Sequence, residues 1–304
     1  MIITVVITDI LIIILSNKNI SLDFLKMLVI PLIPYFIGMN LERDNKESIY
    51  KIYILSALIL VIYIHMKYFI NISSWNSSLV YMYSQKNSAS QIIATAILMI
   101  LSNIKKSKIK VLLIAYFIMI ICLMQARTSI ISLIFVLIIY ILVKSKKKMR
   151  FIISLAVIYI IIMKIPYLKN FIFHTFLIDK YNGMSMNSFS SNRITNYINA
   201  FNNIKNNLFI GNAYYVDNLL LNITCNSGVI IGLLIIIVII IRYIKNLFNN
   251  NFNIKYKKIL FYLTTYYIIT SLFEGYPPFG PGVCSMAFWL LSGIYDKENK
   301  VIKE

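Results

Sequence analysis

The sequence predicts an all-α protein, a polytopic transmembrane helix bundle of about ten spans. The first observation behind this prediction is composition: 59% of the 304 residues are hydrophobic, 13% are charged, and the mean hydropathy is +0.77. A soluble domain is nearer half apolar and a quarter charged. The second observation is that the apolar residues form long runs, and about 20 such residues cross the hydrocarbon core of a bilayer. We therefore expect residues 1–304 to form a single integral membrane domain.

Charge placement predicts how the chain crosses the membrane. The candidate spans are 2–15, 25–39, 52–70, 89–103, 110–126, 129–143, 151–163, 217–241, 259–273 and 283–295. Segments 41–51, 104–110, 144–150, 242–258 and the C-terminal tail carry 20 of the 30 Lys and Arg residues. Because cytoplasmic loops carry such an excess, the sequence predicts a multi-pass protein of the bacterial plasma (inner) membrane with both termini cytoplasmic. The same placement explains the net charge of +19 without a nucleic-acid partner.

The long polar segment 164–216 is predicted to be extracytoplasmic and to contain an amphipathic helix. Its apolar residues recur at helical spacings from Arg193 onward: Ile194, Tyr197, Ile198, Phe201, Ile204 and Leu208. Ser190, Ser191 and Asn192 are candidate caps, and Gly211 is a candidate stop. We expect this helix to lie on the outer membrane surface or on the bundle.

Two arginines are expected at the outer interface. Arg193 begins the amphipathic helix, and Arg127 lies in a connection of two or three residues between two spans. A charge held at the membrane edge is costly unless it is paired or used. The alternative interpretation is that each arginine only extends its charged head toward water.

Acids, amides and tyrosines are predicted at the same level. Asp217 and Asn218 open the eighth span, and Asn222 and Asn226 continue one helix face, since they follow at four-residue intervals. Glu274 ends the ninth span, and Tyr215 belongs to an aromatic group with Tyr214 and Tyr276. The amides are equally well explained as hydrogen bonds between helices. The tyrosines are also typical of an interfacial aromatic belt.

Together these residues point to a site for a lipid-linked phosphate. The guanidinium fork binds phosphate oxygens bidentately, and a nearby acid is able to act as a base toward a hydroxyl. We expect no metal and no cofactor, because His65 and His174 stand apart and the sequence has neither an acidic cluster nor a phosphate-binding glycine motif.

Three segments within residues 85–295 resemble the superfamily of O-antigen ligases and Wzy-type polysaccharide polymerases. They are "QARTSIISLIFVLIIYIL", "SSNRITNYINAFNNIKNNLFIGNAYY" and "VDNLLLNITCNSGVIIGLL". The resemblance implies a metal-independent membrane glycosyltransferase whose donor and acceptor are undecaprenyl-diphosphate-linked glycans. By carry-over, Arg127 and Arg193 match the two arginines that grip the diphosphate. From their predicted place at the same outer level, we expect Asn218, Asn222 and Tyr215 to be further substrate contacts.

The resemblance favours one branch of the superfamily. The ligase branch has a histidine immediately before the asparagine of this span, where this chain has Asp217. That difference favours a polymerase of surface polysaccharide (O-antigen or capsule), with an O-antigen ligase and a lipid-linked oligosaccharide flippase or other transporter as alternatives. The catalytic base stays open between Asp217 and Glu274. The lipid bilayer, a flippase and a chain-length regulator are the expected partners.

Overall fold

The structure is a computed structural model that describes residues 29–41, 45–68, 86–102, 107–144, 163–176, 192–248, 255–279 and 283–301, with positions 153, 157, 160, 161, 187 and 190. Eleven helices lie within these residues: α1 (Leu32–Asn40), α2 (Asn45–Tyr68), α3 (Lys86–Ser102), α4 (Lys108–Leu123), α5 (Arg127–Lys144), α6 (Pro166–Thr175), α7 (Arg193–Asn206), α8 (Leu219–Ser227), α9 (Val229–Phe248), α10 (Lys255–Thr270) and α11 (Val283–Val301). No strand occurs in the described part of the chain, so the all-α prediction is confirmed there.

Two helices are long and apolar enough to cross a membrane. They are Ser48–Tyr68 within α2 and Val229–Leu247 within α9, and a shorter apolar helix covers Arg127–Leu142. Only 28% and 33% of the two spanning windows are buried within the protein, whereas the core helix of a soluble protein would be mostly buried. The apolar side chains exposed on these helices support membrane association.

The predicted number of ten spans is not confirmed. Helices α3, α4 and α10 coincide with predicted spans, but they contain 17, 16 and 16 residues. At 1.5 Å per residue such helices are about 25 Å long, which is less than a ~30 Å hydrocarbon core. The predicted span 2–15 and most of 151–163 lie outside the described residues.

The chain divides into two compact units, one formed by residues 49–189 and the other by 1–48 with 190–304. In the first unit, α3 packs against α4 and α5. Residues 93–100 of α3 are all buried, as expected for a helix surrounded by neighbours. The hydroxyls of Ser90 and Ser129 form a buried hydrogen bond of 2.7 Å, which joins α3 to α5.

In the second unit, α1 and α11 cross at two glycines. A Cβ atom on Gly38 would collide with the carbonyl oxygen of Leu290, and a Cβ on Gly293 would collide with that of Tyr35. Small residues allow two helix backbones to approach this closely, which is how helices associate in lipid. The crossing therefore depends on glycine at both positions.

The predicted eighth span, 217–241, is not one helix. Helix α8 ends at Ser227, Gly228 takes a φ of 80°, and α9 begins at Val229. The freed backbone groups are paired by the preceding segment: Asn212 N–H donates to Cys225 O at 2.8 Å, and Val229 N–H donates to Leu208 O at 2.9 Å. The prediction of a continuous span was wrong because a glycine break with its own hydrogen-bond partners interrupts the apolar run.

Candidate functional site: the arginine–carboxylate cluster

Helix α7 confirms the predicted amphipathic helix and begins at Arg193. Two details of its ends differ from the prediction. Asn192 occupies the N-cap position, but its φ is 63° and its side chain makes no capping hydrogen bond, because a side-chain cap needs extended backbone at that residue. The helix ends at Asn206, before Gly211, which instead passes so close to Asn226 that a Cβ would collide with its carbonyl oxygen. Ser191 lies outside the described residues.

Only part of the apolar stripe of α7 faces the protein. Ala200 is fully buried with Val216 and Cys225, and Tyr197 and Ile204 pack against this small core. The remaining apolar side chains of the helix are 44–56% exposed: Ile194, Ile198 and Phe201. Helix α7 is thus anchored by one edge of its stripe, and the other edge leaves an apolar surface uncovered by the described residues.

The turn that follows α10 is fastened to the start of α8 by three hydrogen bonds. Leu219 N–H donates to Ser271 O at 2.9 Å. The amide of Asn218 donates to Leu272 O at 3.1 Å, and the amide of Asn222 donates to Gly275 O at 3.0 Å. This fastening brings Glu274, between the last two acceptors, beside the residues that open α8.

Tyr197 joins α7 to both of these segments. Its hydroxyl lies 3.0 Å from the carbonyl oxygens of both Asp217 and Leu272, and these two acceptors share its one proton. Burial, opposed in part by Arg193, raises the pKa of Tyr197, so this hydroxyl stays a neutral donor. The sequence pattern predicts Tyr197 only as a member of an apolar stripe. A phenol inside such a stripe is a signal for this role, because a buried tyrosine hydroxyl usually finds a partner.

Arg193 and Glu274 form an ion pair in which Nη2 and Oε1 are 3.5 Å apart. Their side chains are 21% and 12% exposed, so water screens the pair only partly. The guanidinium also lies over the ring of Phe273, 5.8 Å from its centroid, in cation–π range. Nε of Arg193 is buried and receives no partner from the described residues.

Asp217 and Tyr215 form the second polar pair. The Tyr215 hydroxyl donates to Oδ1 of Asp217 at 2.9 Å, and the Tyr215 ring lies 5.2 Å from the ring of Tyr276. Burial, followed by the charge of Asp217, raises the pKa of Tyr215, and the charge of Glu274 acts in the same direction. The structure thus brings together Arg193, Tyr215, Asp217 and Glu274, which we name the arginine–carboxylate cluster.

The asparagines of α8 are engaged by the protein itself. Asn218 caps the helix by accepting from Leu221 N–H at 3.1 Å. Asn222 is buried, and its amide oxygen accepts from Val216 N–H at 3.3 Å. Asn226 donates to Tyr214 O at 3.2 Å. These bonds favour the structural alternative for the amide stripe, and substrate contacts by Asn218 and Asn222 stay a prediction.

Arg127 belongs to the other unit and is the first residue of α5. The predicted short connection is confirmed, since α4 ends at Leu123 and α5 begins at Arg127. In this turn Gln125 has a φ of 52°, and Arg127 N–H donates to its carbonyl oxygen at 3.0 Å. Arg127 is half-buried at that helix start. Its part in phosphate binding stays a prediction.

Comparison with known proteins found no match: no protein-family model, no curated protein and no solved structure is similar to the chain. The resemblance to ligases and polymerases therefore stays a prediction from the three quoted segments.

Proposed function

We propose that the protein is a membrane-embedded glycosyltransferase that joins undecaprenyl-diphosphate-linked oligosaccharide repeat units into a surface polysaccharide. In this proposal the chain crosses the plasma membrane many times, both termini are cytoplasmic, and the arginine–carboxylate cluster faces outward. The observation that carries the proposal is the cluster itself, in which the half-buried Arg193 pairs with Glu274 and the Tyr215 hydroxyl donates to Asp217. The amphipathic helix that begins at Arg193 and the apolar faces of α2 and α9 support a location at a membrane surface.

The residue types suit transfer of a sugar from a diphosphate. Arg193 has the donor groups that bind phosphate oxygens, and charge-assisted bonds of this kind are about twice as strong as neutral ones. In the reaction, the acceptor hydroxyl oxygen attacks the anomeric carbon of the donor, and the bond from that carbon to the diphosphate oxygen breaks with inversion. The electron pair leaves with the diphosphate, whose growing negative charge the guanidinium stabilises. The hydroxyl proton passes to Asp217 or Glu274 as the general base.

A transporter of the same lipid-linked sugars is the second candidate. The break between α8 and α9 at Gly228 favours it, because discontinuous helices line substrate sites in many transporters. In the described residues one such break occurs, at the end of α8 that is opposite to Asp217, whereas transporter repeats typically provide a pair. This difference keeps glycosyl transfer as the preferred proposal.

A glycan profile of a strain lacking the gene tests the proposal. A polymerase predicts that single lipid-linked repeats remain and polymer is lost. A ligase predicts that polymer persists on its lipid carrier, and a flippase predicts that single repeats stay on the cytoplasmic leaflet. Polymer of normal length and attachment would contradict all three activities.

Complementation then links the activity to the cluster. Asp217→Asn and Glu274→Gln keep side-chain size and remove charge, so we expect at least one to fail to restore polymer. Lys205→Gln is the matched control, because it removes an exposed charge from α7 away from the cluster. Membrane levels of each variant are measured in parallel, and full polymer from both acid variants would contradict a side-chain base in this cluster.

A further inference from the structure

We infer that the Glu274 carboxylate pairs with Arg193 until the substrate's diphosphate binds there and displaces it, and that Asp217 is the general base. This inference rests on the proposed function and assigns different work to the two acids. Glu274 is a positioning residue that keeps the guanidinium in place. Asp217 receives the proton of the acceptor hydroxyl.

The contact between Arg193 and Glu274 is suited to exchange. It is a single contact of 3.5 Å from one guanidinium nitrogen to one carboxylate oxygen. A bidentate pair of shorter bonds would be the arrangement expected of a permanent structural ion pair. Nε of Arg193 has no partner among the described residues, so donor capacity remains on the guanidinium.

A diphosphate should bind the guanidinium of Arg193 more strongly than the carboxylate of Glu274 does. It carries more negative charge and more acceptor oxygens, and the planar fork of arginine matches phosphate geometry. The guanidinium also lies over the ring of Phe273, with Cζ 5.8 Å from its centroid, and this cation–π contact takes up none of its N–H donors. A diphosphate that binds there displaces Glu274, and no covalent change is involved.

Asp217 has the surroundings of a base. Its side-chain partner in the described structure is the neutral hydroxyl of Tyr215, which donates to Oδ1. Oδ2 receives no hydrogen bond from the described residues, and the side chain is half-buried. Glu274 is engaged by the guanidinium of Arg193, whereas Asp217 is bonded to a neutral phenol. Of the two acids, Asp217 is therefore the one that receives the proton of the acceptor hydroxyl.

Hydrogen bonds of the backbone around Asp217 fix the position of this residue. Its carbonyl oxygen accepts from Tyr197, and its neighbour Asn218 is bonded to Leu272. The turn that carries Leu272 also carries Glu274, so both acids are held by one set of hydrogen bonds. Tyr197 and Asn218 thus hold the segment that carries Asp217 against the turn that carries Glu274.

The test uses the full-length protein in lipid nanodiscs, with inorganic pyrophosphate and undecaprenyl diphosphate as probes in calorimetric titrations. Glu274→Gln removes the competing anion, so both probes should bind about fivefold or more tightly, a factor that corresponds to ~1 kcal/mol. Glu274→Asp keeps the charge and should bind within about twofold of wild type, since its carboxylate still competes for the guanidinium. Arg193→Gln should lose the binding of both probes.

Turnover separates the two acids. With the lipid-linked repeat purified from the deletion strain, Asp217→Asn should leave the donor KM near wild type and lower kcat by about 100-fold or more, the usual range for loss of a general base. Glu274→Gln should lower the donor KM, and its kcat should fall by less than that of Asp217→Asn. In the pH profile of kcat, the acid limb should be lost in Asp217→Asn and kept in Glu274→Gln.

Several outcomes would overturn the inference. One is that the wild-type protein does not bind pyrophosphate. Another is that Glu274→Gln and Glu274→Asp both bind pyrophosphate no more tightly than wild type. A third is that Glu274→Gln loses turnover while Asp217→Asn keeps normal turnover. Thermal unfolding of each variant confirms folding before titration. If the wild type extends no glycan but Glu274→Gln still tightens pyrophosphate binding, the anion exchange stands and the proposed polymerase activity fails.

Discussion

Asp296→Asn should destabilise the second unit strongly, because one carboxylate ties three helices together. Asp296 in α11 accepts from the Tyr35 hydroxyl of α1 at 2.8 Å. It also accepts from two basic residues of α9, Arg242 at 2.5 Å and Lys245 at 2.8 Å. Arg242 in turn donates to Ser292 O at 3.0 Å. The amide that replaces the carboxylate keeps its shape and loses its charge.

The size of the effect follows from burial. The side chains of Asp296 and Arg242 are 7% and 11% exposed, so the substitution leaves a cation buried without its counter-ion. Breaking such a pair from one side costs about 3–5 kcal/mol. At roughly 2–4 °C per kcal/mol for proteins of comparable size, the apparent Tm should fall by on the order of 10 °C.

The assay is thermal unfolding in detergent, followed by tryptophan fluorescence and by size-exclusion recovery of the heated sample. Lys245→Gln is the matched control, because Lys245 bonds the same carboxylate but is 49% exposed. An exposed pair contributes about 0–1 kcal/mol, so this variant should unfold near the wild-type temperature. Equal shifts of a degree or two in both variants would refute the idea that the buried Asp296–Arg242 pair holds the helices together.

The pH dependence gives a second check on the same residue. Burial acts to raise the pKa of Asp296, but Arg242, Lys245 and Tyr35 outweigh it, and the pKa lies below the ordinary carboxyl value. The group therefore stabilises the fold fully above the unfolded-state pKa of about 3.9, and the contribution is lost as the pH falls through the lower folded-state pKa. We expect the Tm difference between wild type and Asp296→Asn to be constant from neutral pH to about 5 and to shrink below about 4.

The other predictions address packing, topology and the arginines. Gly293→Val should lower the Tm in the same assay by the equivalent of about 1–3 kcal/mol, because its side chain meets the backbone of α1, and an unchanged Tm would contradict the close crossing. In a background without native cysteines, a cysteine at Asn187 should react with an impermeant reagent from outside while one at Lys147 is protected; the opposite pattern would overturn the proposed orientation. Loss of Arg127 or Arg193 should weaken binding about 10- to 150-fold, and Arg127→Lys and Arg193→Lys should each shorten the polymer, since lysine keeps the charge and lacks the fork; wild-type polymer from both lysine variants would contradict a bidentate grip.

Local signals predicted the parts of the cluster that lie close together in sequence. The start of α7 at Arg193 follows from the apolar period, and the position of Asp217 and Asn218 at the start of a helix follows from the change from polar to apolar residues. The pairing of Arg193 with Glu274 has no such signal, because it depends on how the turn after α10 is bonded to α8. The sequence predicted that both residues lie at the same level and could not predict that they touch.

The buried Asp296 network shows the same limit of local patterns. The charge pattern predicts that Arg242 and Lys245 lie in a cytoplasmic loop, because charges after an apolar run usually mark its end. In the structure α9 continues through both residues to Phe248, and they bind a carboxylate 54 and 51 residues away. The distribution of Lys and Arg predicts on which side of a membrane a segment lies. It does not predict the counter-ion of a buried charge, because that partner is brought close by the tertiary structure.

The break in the helix at Gly228 and the arginine–carboxylate cluster depend on the same segment of the second unit. Unpaired backbone groups at membrane depth cost several kcal/mol each, so an interrupted helix persists there only when other groups pair with its ends. Here the segment between α7 and α8 supplies those partners through Leu208 and Asn212. The same segment continues to Tyr215 and Asp217, so the backbone that completes the broken helix also leads to the Asp217–Tyr215 pair of the cluster. A straight helix over 217–241 would leave Leu208 and Asn212 without these partners and would remove the anchor for the chain that leads to Asp217. The interruption of the apolar run is therefore part of what positions the site.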